Sequence, residues 1–145
     1  MVQGRPNIQR RMGMWCAAHL TPERSLIRYH YSIFEKIQVD RSTATLEEAS
    51  TLTRAMPRAD MVIIAPQEVR LLEIKPTAQL KDVGQVKQYA VYLRRDIFLA
   101  PQLNRPLELY VVTLKDNSSV RVACEAEGIH YVVIPLDELP ELPSP

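Results

Sequence analysis

Three charged side chains interrupt the most apolar part of this chain, and they restrict what it can fold into. Asp60 opens the run Asp-Met-Val-Ile-Ile-Ala, and Glu73 and Lys75 close the run Val-Arg-Leu-Leu-Glu-Ile-Lys, with Pro66-Gln67-Glu68 between the two. Two short runs rich in Val, Ile and Leu on either side of a Pro-containing turn predict a β-hairpin over 60–65 and 69–75. Successive side chains alternate across a strand, so Glu73 and Lys75 share a face while Leu72 and Ile74 point into packing. Asp60 begins the neighbouring strand and can lie beside Glu73 across the hairpin. A charge among such neighbours is destabilising unless it finds a partner, a metal or water.

The flanking segments supply the rest of an α/β fold. Pro6 to Leu20 reads as a short helix with Asn7 as its cap. Ile27, Tyr29, Tyr31, Ile33, Ile37 and Val39 alternate through 26–39, which predicts a strand or a bent hairpin arm. Residues 42–56 read as a helix, with Thr45 and Glu48 at capping-box spacing and Pro57 as its stop. Leu80 to Asp96 is the clearest helix, with Val83, Val86, Ala90 and Leu93 on one apolar stripe. A loop marked by Pro101, Asn104 and Pro106 leads to a strand at 107–114. A helix follows at 118–127 with Gly128 at its C′ position, then a strand at 129–136. This order predicts a single α/β domain over 1–136, a mixed central β-sheet with helices on its faces, followed by an exposed acidic, Pro-rich tail over 137–145.

Composition narrows the function classes. With 145 residues, 46% apolar and 24% charged, the chain is long enough for one domain with a real core. No apolar run reaches membrane-spanning length and the first residues lack a signal-peptide core, so a cytoplasmic protein is expected, with no membrane partner. Cys16 and Cys124 form no CxxC pair and read as free buried thiols. His19, His30 and His130 lack zinc-ligand spacing. The net charge of +1 is uneven: Arg5, Arg10, Arg11, Arg24 and Arg28 crowd the front, and the last 21 residues are acidic with no Lys or Arg. The basic front suits a phosphate backbone, and equally well a solvated surface or a subunit contact.

Two carboxylates and an amine brought to one place suggest a phosphodiesterase site built around a divalent cation. Carboxylate oxygens suit Mg²⁺ or Mn²⁺, and Lys75 could hold the attacking water or offset charge on the phosphate. On the following helix Gln85 and Tyr89 are four apart and stack on one stripe, which Tyr92 continues; Gly84 leaves room for close approach. The set Asp60, Glu73-Ile74-Lys75 and Gln85-x-x-x-Tyr89 resembles the PD-(D/E)XK, or restriction-endonuclease-like, nuclease superfamily. The Gln-x-x-x-Tyr element is similar to that of its RecB-like branch. The resemblance covers residues 58–93 and implies a restriction-endonuclease-like core. It makes Asp60 and Glu73 metal ligands, the Ile74 carbonyl a third ligand, Lys75 the catalytic lysine, and Gln85 and Tyr89 an accessory pair. The family usually has Pro before the Asp, where this chain has Ala59. Many members add a Glu or His from an earlier helix, for which Glu35, Glu47, Glu48 and His19 are the candidates.

The expected activity is Mg²⁺-dependent hydrolysis of DNA phosphodiester bonds. Arg54, Arg58 and Lys87 are the candidates to grip phosphates, and Tyr29 and Tyr31, on one strand face, to stack on bases. Plainer readings exist for each: salt bridges from the arginines to Glu47 or Glu48, sheet packing for the tyrosines, and an exposed Glu73–Lys75 pair worth under about 1 kcal/mol. Trp15, Met12 and Met14 read as a core or subunit plug. The alternative function is a nuclease fold with weak or lost activity, serving as a nucleic-acid-binding or assembly module. By family habit a small nuclease of this kind can be encoded by a phage, acting in the host cytoplasm or a virion. A nuclease cutting both strands often dimerises, so a homo-oligomer is left open.

Overall fold

The structure is a computed structural model and describes residues 5–33 and 58–143. The helix expected over 42–56, with Arg54, Glu47 and Glu48, and also Glu35, fall outside the described residues. The elements run α1 (Arg5–His19), β1 (Leu26–Ser32), β2 (Arg58–Ile64), β3 (Val69–Lys75), α2 (Leu80–Leu93), β4 (Leu107–Thr113), α3 (Ser118–Ala126) and β5 (His130–Val133). The five strands form one sheet in the order β1-β2-β3-β4-β5. The first three pair antiparallel, whereas β3–β4 and β4–β5 are parallel and cross over through α2 and α3. Among the described residues no helix is long and apolar enough to cross a membrane.

Each face of the sheet carries its own core. Met12, Trp15 and Cys16 of α1 pack on Met61, Ile63, Leu72, Ile74, Tyr110 and Val112. On the other face Val83, Val86, Ala90 and Leu93 of α2, with Val120 and Cys124 of α3, cover Ala59, Val62, Val69, Leu71 and Val111. The predicted α2 stripe is therefore the buried one, and the two free thiols lie on opposite sides of the sheet. The central strand β3 is covered on both faces, which is why its charged residues stand among apolar neighbours.

Several boundaries differ from the sequence expectation for identifiable reasons. Asn7 is not a cap: α1 already begins at Arg5, with Pro6 in its first turn, where the missing N–H is no loss. Strand β1 ends at Ser32, and residues 34–39 of the expected strand, with Ile37 and Val39, lie outside the described residues. Helix α2 ends at Leu93 rather than Asp96, because the buried Asp96 accepts the N–H groups of Phe98 and Leu99, each at 2.9 Å, and turns the chain. Gly128 adopts φ +68° just beyond α3, as its predicted C′ role requires. The acidic end is not a free tail. Leu139 packs on the α1-side core, and Arg11 Nε donates to the Pro140 carbonyl at 2.7 Å, so the basic helix holds the Pro-rich segment.

Tyr29 and Tyr31 do not share a face. Tyr29 lies near Gly13 of α1, whereas Tyr31 packs on the α2 side and donates its hydroxyl to Asp96 Oδ1 at 2.9 Å. His30 between them has φ +49°, a conformation that interrupts strand alternation. The Tyr31 hydroxyl is pushed well above its usual range by burial, then by its bond to Asp96.

Candidate active site

The site lies where β2 and β3 stop pairing. Their ladder ends at Met61 opposite Leu72, so continuation of the register by one step puts Asp60 opposite Glu73. Strand β2 slips at this point: Ala59 and Val62 both belong to the α2-side core while Met61 between them faces α1. The slip sits beside the irregular His30, since β1 pairs Tyr29 with Met61 and Tyr31 with Ala59. The Ile74 N–H, left without a strand partner, donates to Asp60 Oδ2 at 2.7 Å.

Glu73 and Lys75 follow Val69 and Leu71 in alternation, so both point to the α2 face, as predicted. Glu73 is 2% exposed, and Lys75 Nζ lies 3.5 Å from its Oε1. The Glu73 carboxyl is pushed up to about 8, first by burial and then by the charge of Asp60. Lys75 opposes the rise, while a hydrogen bond to the Asp60 carboxyl and the charge of Asp82 add to it. Asp60, Glu73 and Lys75 are thus one interacting group.

On α2, Gln85 Nε2 donates to the Tyr89 hydroxyl at 2.5 Å, and Gln88 Nε2 to that of Tyr92 at 3.0 Å. Gln85 and Tyr89 are half-buried on the helix that covers Glu73. Lys87 is not on their stripe. Two positions from Gln85 is over half a helical turn, and its ammonium pairs with Glu127 on the α3 side at 2.9 Å. Arg58 is exposed at the start of β2, two residues before Asp60. His19 is removed from the site: it ends α1, stacks on Trp15 and hydrogen-bonds the Trp15 carbonyl at 3.0 Å. Ten residues of helix, roughly 15 Å, separate it from Gln9, which does reach the β2–β3 gap.

Three contributors escaped sequence reasoning. Gln9 of α1 donates through Nε2 to the Ile74 carbonyl at 3.0 Å, the same carbonyl that the family resemblance makes a metal ligand. No sequence signal marks Gln9, because the contact spans 65 residues. Thr113 is buried at the end of β4, accepting the Ala78 N–H at 3.1 Å and donating to the Pro76 carbonyl at 3.2 Å. These bonds fasten the turn from Lys75 into α2. Asp82 is 2% exposed near the start of α2, and its spacing of three from Gln85 was a legible but unused signal. Behind Asp60, on the α1 side, a groove of about 610 Å³ is lined by Gln9, Arg10, Tyr29, His30, Asp60 and Ile74.

A divalent cation would find suitable donors at Asp60 and Glu73, and a buried carboxylate oxygen of Asp82 without a hydrogen-bond partner lies on the same face. Among the described residues no three Asp, Glu, His or Cys side chains are gathered so that they could hold a metal ion together, so the carboxylate donors are Asp60 and Glu73 alone.

No protein-family model and no curated protein sequence matches the chain. Among solved structures it is similar to the crystal structure of a repair endonuclease from Pyrococcus abyssi, with a TM-score of 0.50 and 13% identity over 92% of this chain. The chain spans about half of that protein, 48% of its length. Among the described residues, the five-stranded mixed sheet with three flanking helices has the restriction-endonuclease-like architecture.

Proposed function

We propose that the protein is a divalent-metal-dependent nuclease that hydrolyses DNA phosphodiester bonds. The observation that carries this reading is the mutual placement of Asp60, Glu73 and Lys75 where β2 and β3 part, with Glu73 buried and held near neutrality. The restriction-endonuclease-like architecture supports it, and the similar solved protein is a repair endonuclease. The Gln85–Tyr89 pair supports a place in the RecB-like branch.

In this reading Asp60 and Glu73 hold Mg²⁺ or Mn²⁺, helped by the Ile74 carbonyl, whose second lone pair stays available beside Gln9. The bound cation supplies charge that polarises the phosphate and makes water a better nucleophile near neutral pH. Lys75 orients that water and offsets negative charge as water adds to phosphorus and the ester P–O bond breaks. Gln85 and Tyr89 position the phosphate, and Arg58 grips its neighbour on the strand. The α1-side groove, with Arg10 and Tyr29, offers room for nucleotides next to Asp60.

The test is incubation with Mg²⁺ or Mn²⁺ and linear, circular and single-stranded DNA, beside RNA. Cleavage is expected for the natural chain and lost in Lys75→Ala and Asp60→Asn, with circular dichroism unchanged. Cleavage surviving in Lys75→Ala overturns the assignment. A second reading, a nuclease fold used for binding or assembly without cleavage, is favoured by the Gln9 amide already seated on the Ile74 carbonyl. A stable oligomer in solution with no cation affinity would select it.

A further inference from the structure

Asp82 does more than its position in the helix demands. At the third residue of α2 an acidic side chain ordinarily accepts the N–H just before the helix, and Asp82 Oδ2 takes that of Gln79 at 2.8 Å. Such a cap needs one oxygen and works at the protein surface. Here the whole residue is 2% exposed, and its Oδ1 is buried with no hydrogen-bond partner. A carboxylate oxygen kept from water without a donor is destabilising unless a cation or its hydration shell reaches it.

The surroundings indicate what reaches it. Asp82 begins the stripe that continues through Gln85 to Tyr89, one and two turns further along α2. Its charge acts on Glu73, so it adds to the negative potential around the Asp60–Glu73 pair. The cap to Gln79 and the Thr113 bonds to Pro76 and Ala78 fix the turn, so Asp82 cannot swing outward without giving up a hydrogen bond. Lys75 on this face pairs with Glu73.

We infer that Asp82 supports the cation site from outside its direct ligands, its free Oδ1 receiving the water shell of the divalent ion that Asp60 and Glu73 would hold. The inference rests on the cation site proposed above. Mg²⁺ and Mn²⁺ retain waters that need acceptors, and partners beyond the direct ligands typically alter metal affinity about 10–100-fold.

The experiment is a Mn²⁺ titration of the full chain, with the free ion read by electron paramagnetic resonance and melting temperatures recorded with and without metal. Asp82→Asn keeps an oxygen for the Gln79 N–H, and Asp137→Asn, exposed beyond β5, controls for the loss of one charge. Asp82→Asn is expected to bind Mn²⁺ about tenfold or more weakly. Its metal-free melting temperature should not fall, the rise produced by Mn²⁺ should shrink, and Asp137→Asn should behave as the natural chain. Equal affinity in Asp82→Asn overturns this inference and leaves the Asp60–Glu73 site standing, and if metal-free stability also falls, Asp82 is a helix cap alone. A natural chain that binds no Mn²⁺ removes both.

Discussion

Asp60 Oδ2 takes the main-chain N–H of Ile74 at 2.7 Å, in the place where a paired strand would offer a carbonyl. A side chain thus substitutes for a backbone acceptor at the last step of the hairpin. It does so beside a second carboxylate that burial and Asp60 itself keep close to neutral. The arrangement ties the stability of the sheet edge to the charge state of the site, and the following expectations come from it.

Glu73→Gln should stabilise the metal-free protein by about 1 kcal/mol at pH 8, where the buried carboxyl is about half ionised, because the amide has the same shape and carries no charge. The same substitution should abolish Mg²⁺-dependent cleavage. Urea unfolding at pH 8 and a nuclease assay check the two halves separately.

Stability without metal should fall as pH rises. Glu73 gives up its proton near 4.5 in the unfolded chain but only at about 8 in the folded one, so the fold holds the proton more tightly. The stabilising contribution of this group is complete below pH 4.5, shrinks through the window to about pH 8, and is absent above it. Melting temperatures from pH 5 to 8 should decline in the natural chain and decline less in Glu73→Gln. Saturating Mg²⁺ should flatten the profile, since the ion favours the ionised carboxylate.

Gln9→Ala should weaken the attachment of α1 to the end of β3 by about 1 kcal/mol, the loss of one hydrogen bond to a half-buried carbonyl. Amide hydrogen exchange should quicken at the first turns of α1 before it changes in β4. Unaltered exchange there would show that the core made by Met12, Trp15 and Cys16 holds α1 without the amide.

Asp96→Ala should destabilise the fold by about 3 kcal/mol. Asp96 is fully buried and accepts from the Tyr31 hydroxyl and from the N–H groups of Phe98 and Leu99. Three donors, of which the Leu99 N–H is buried and the other two part-buried, lose their acceptor at once. Chemical denaturation measures the loss. Tyr31→Phe, which leaves the two backbone bonds in place, should lose less.

The sequence by itself determined what local chemistry determines. Alternation put Glu73 and Lys75 on one strand face, the Pro66 turn made the hairpin that brings Asp60 alongside, and helical spacing joined Gln85 to Tyr89. Each of these is a relation between residues close along the chain, ruled by a period of two or 3.6. Only the tertiary structure decided the rest. It slipped β2 at Asp60, turned Tyr29 and Tyr31 to opposite faces, brought Gln9 across 65 residues to Ile74, and buried Asp82 at the start of α2. Lys87 and His19 lie away from the Asp60–Glu73 pair for the same reason: which way a helix turns its polar residues depends on the surface it packs against. No periodicity in the chain encodes that partner, because burial is a property of elements packed together.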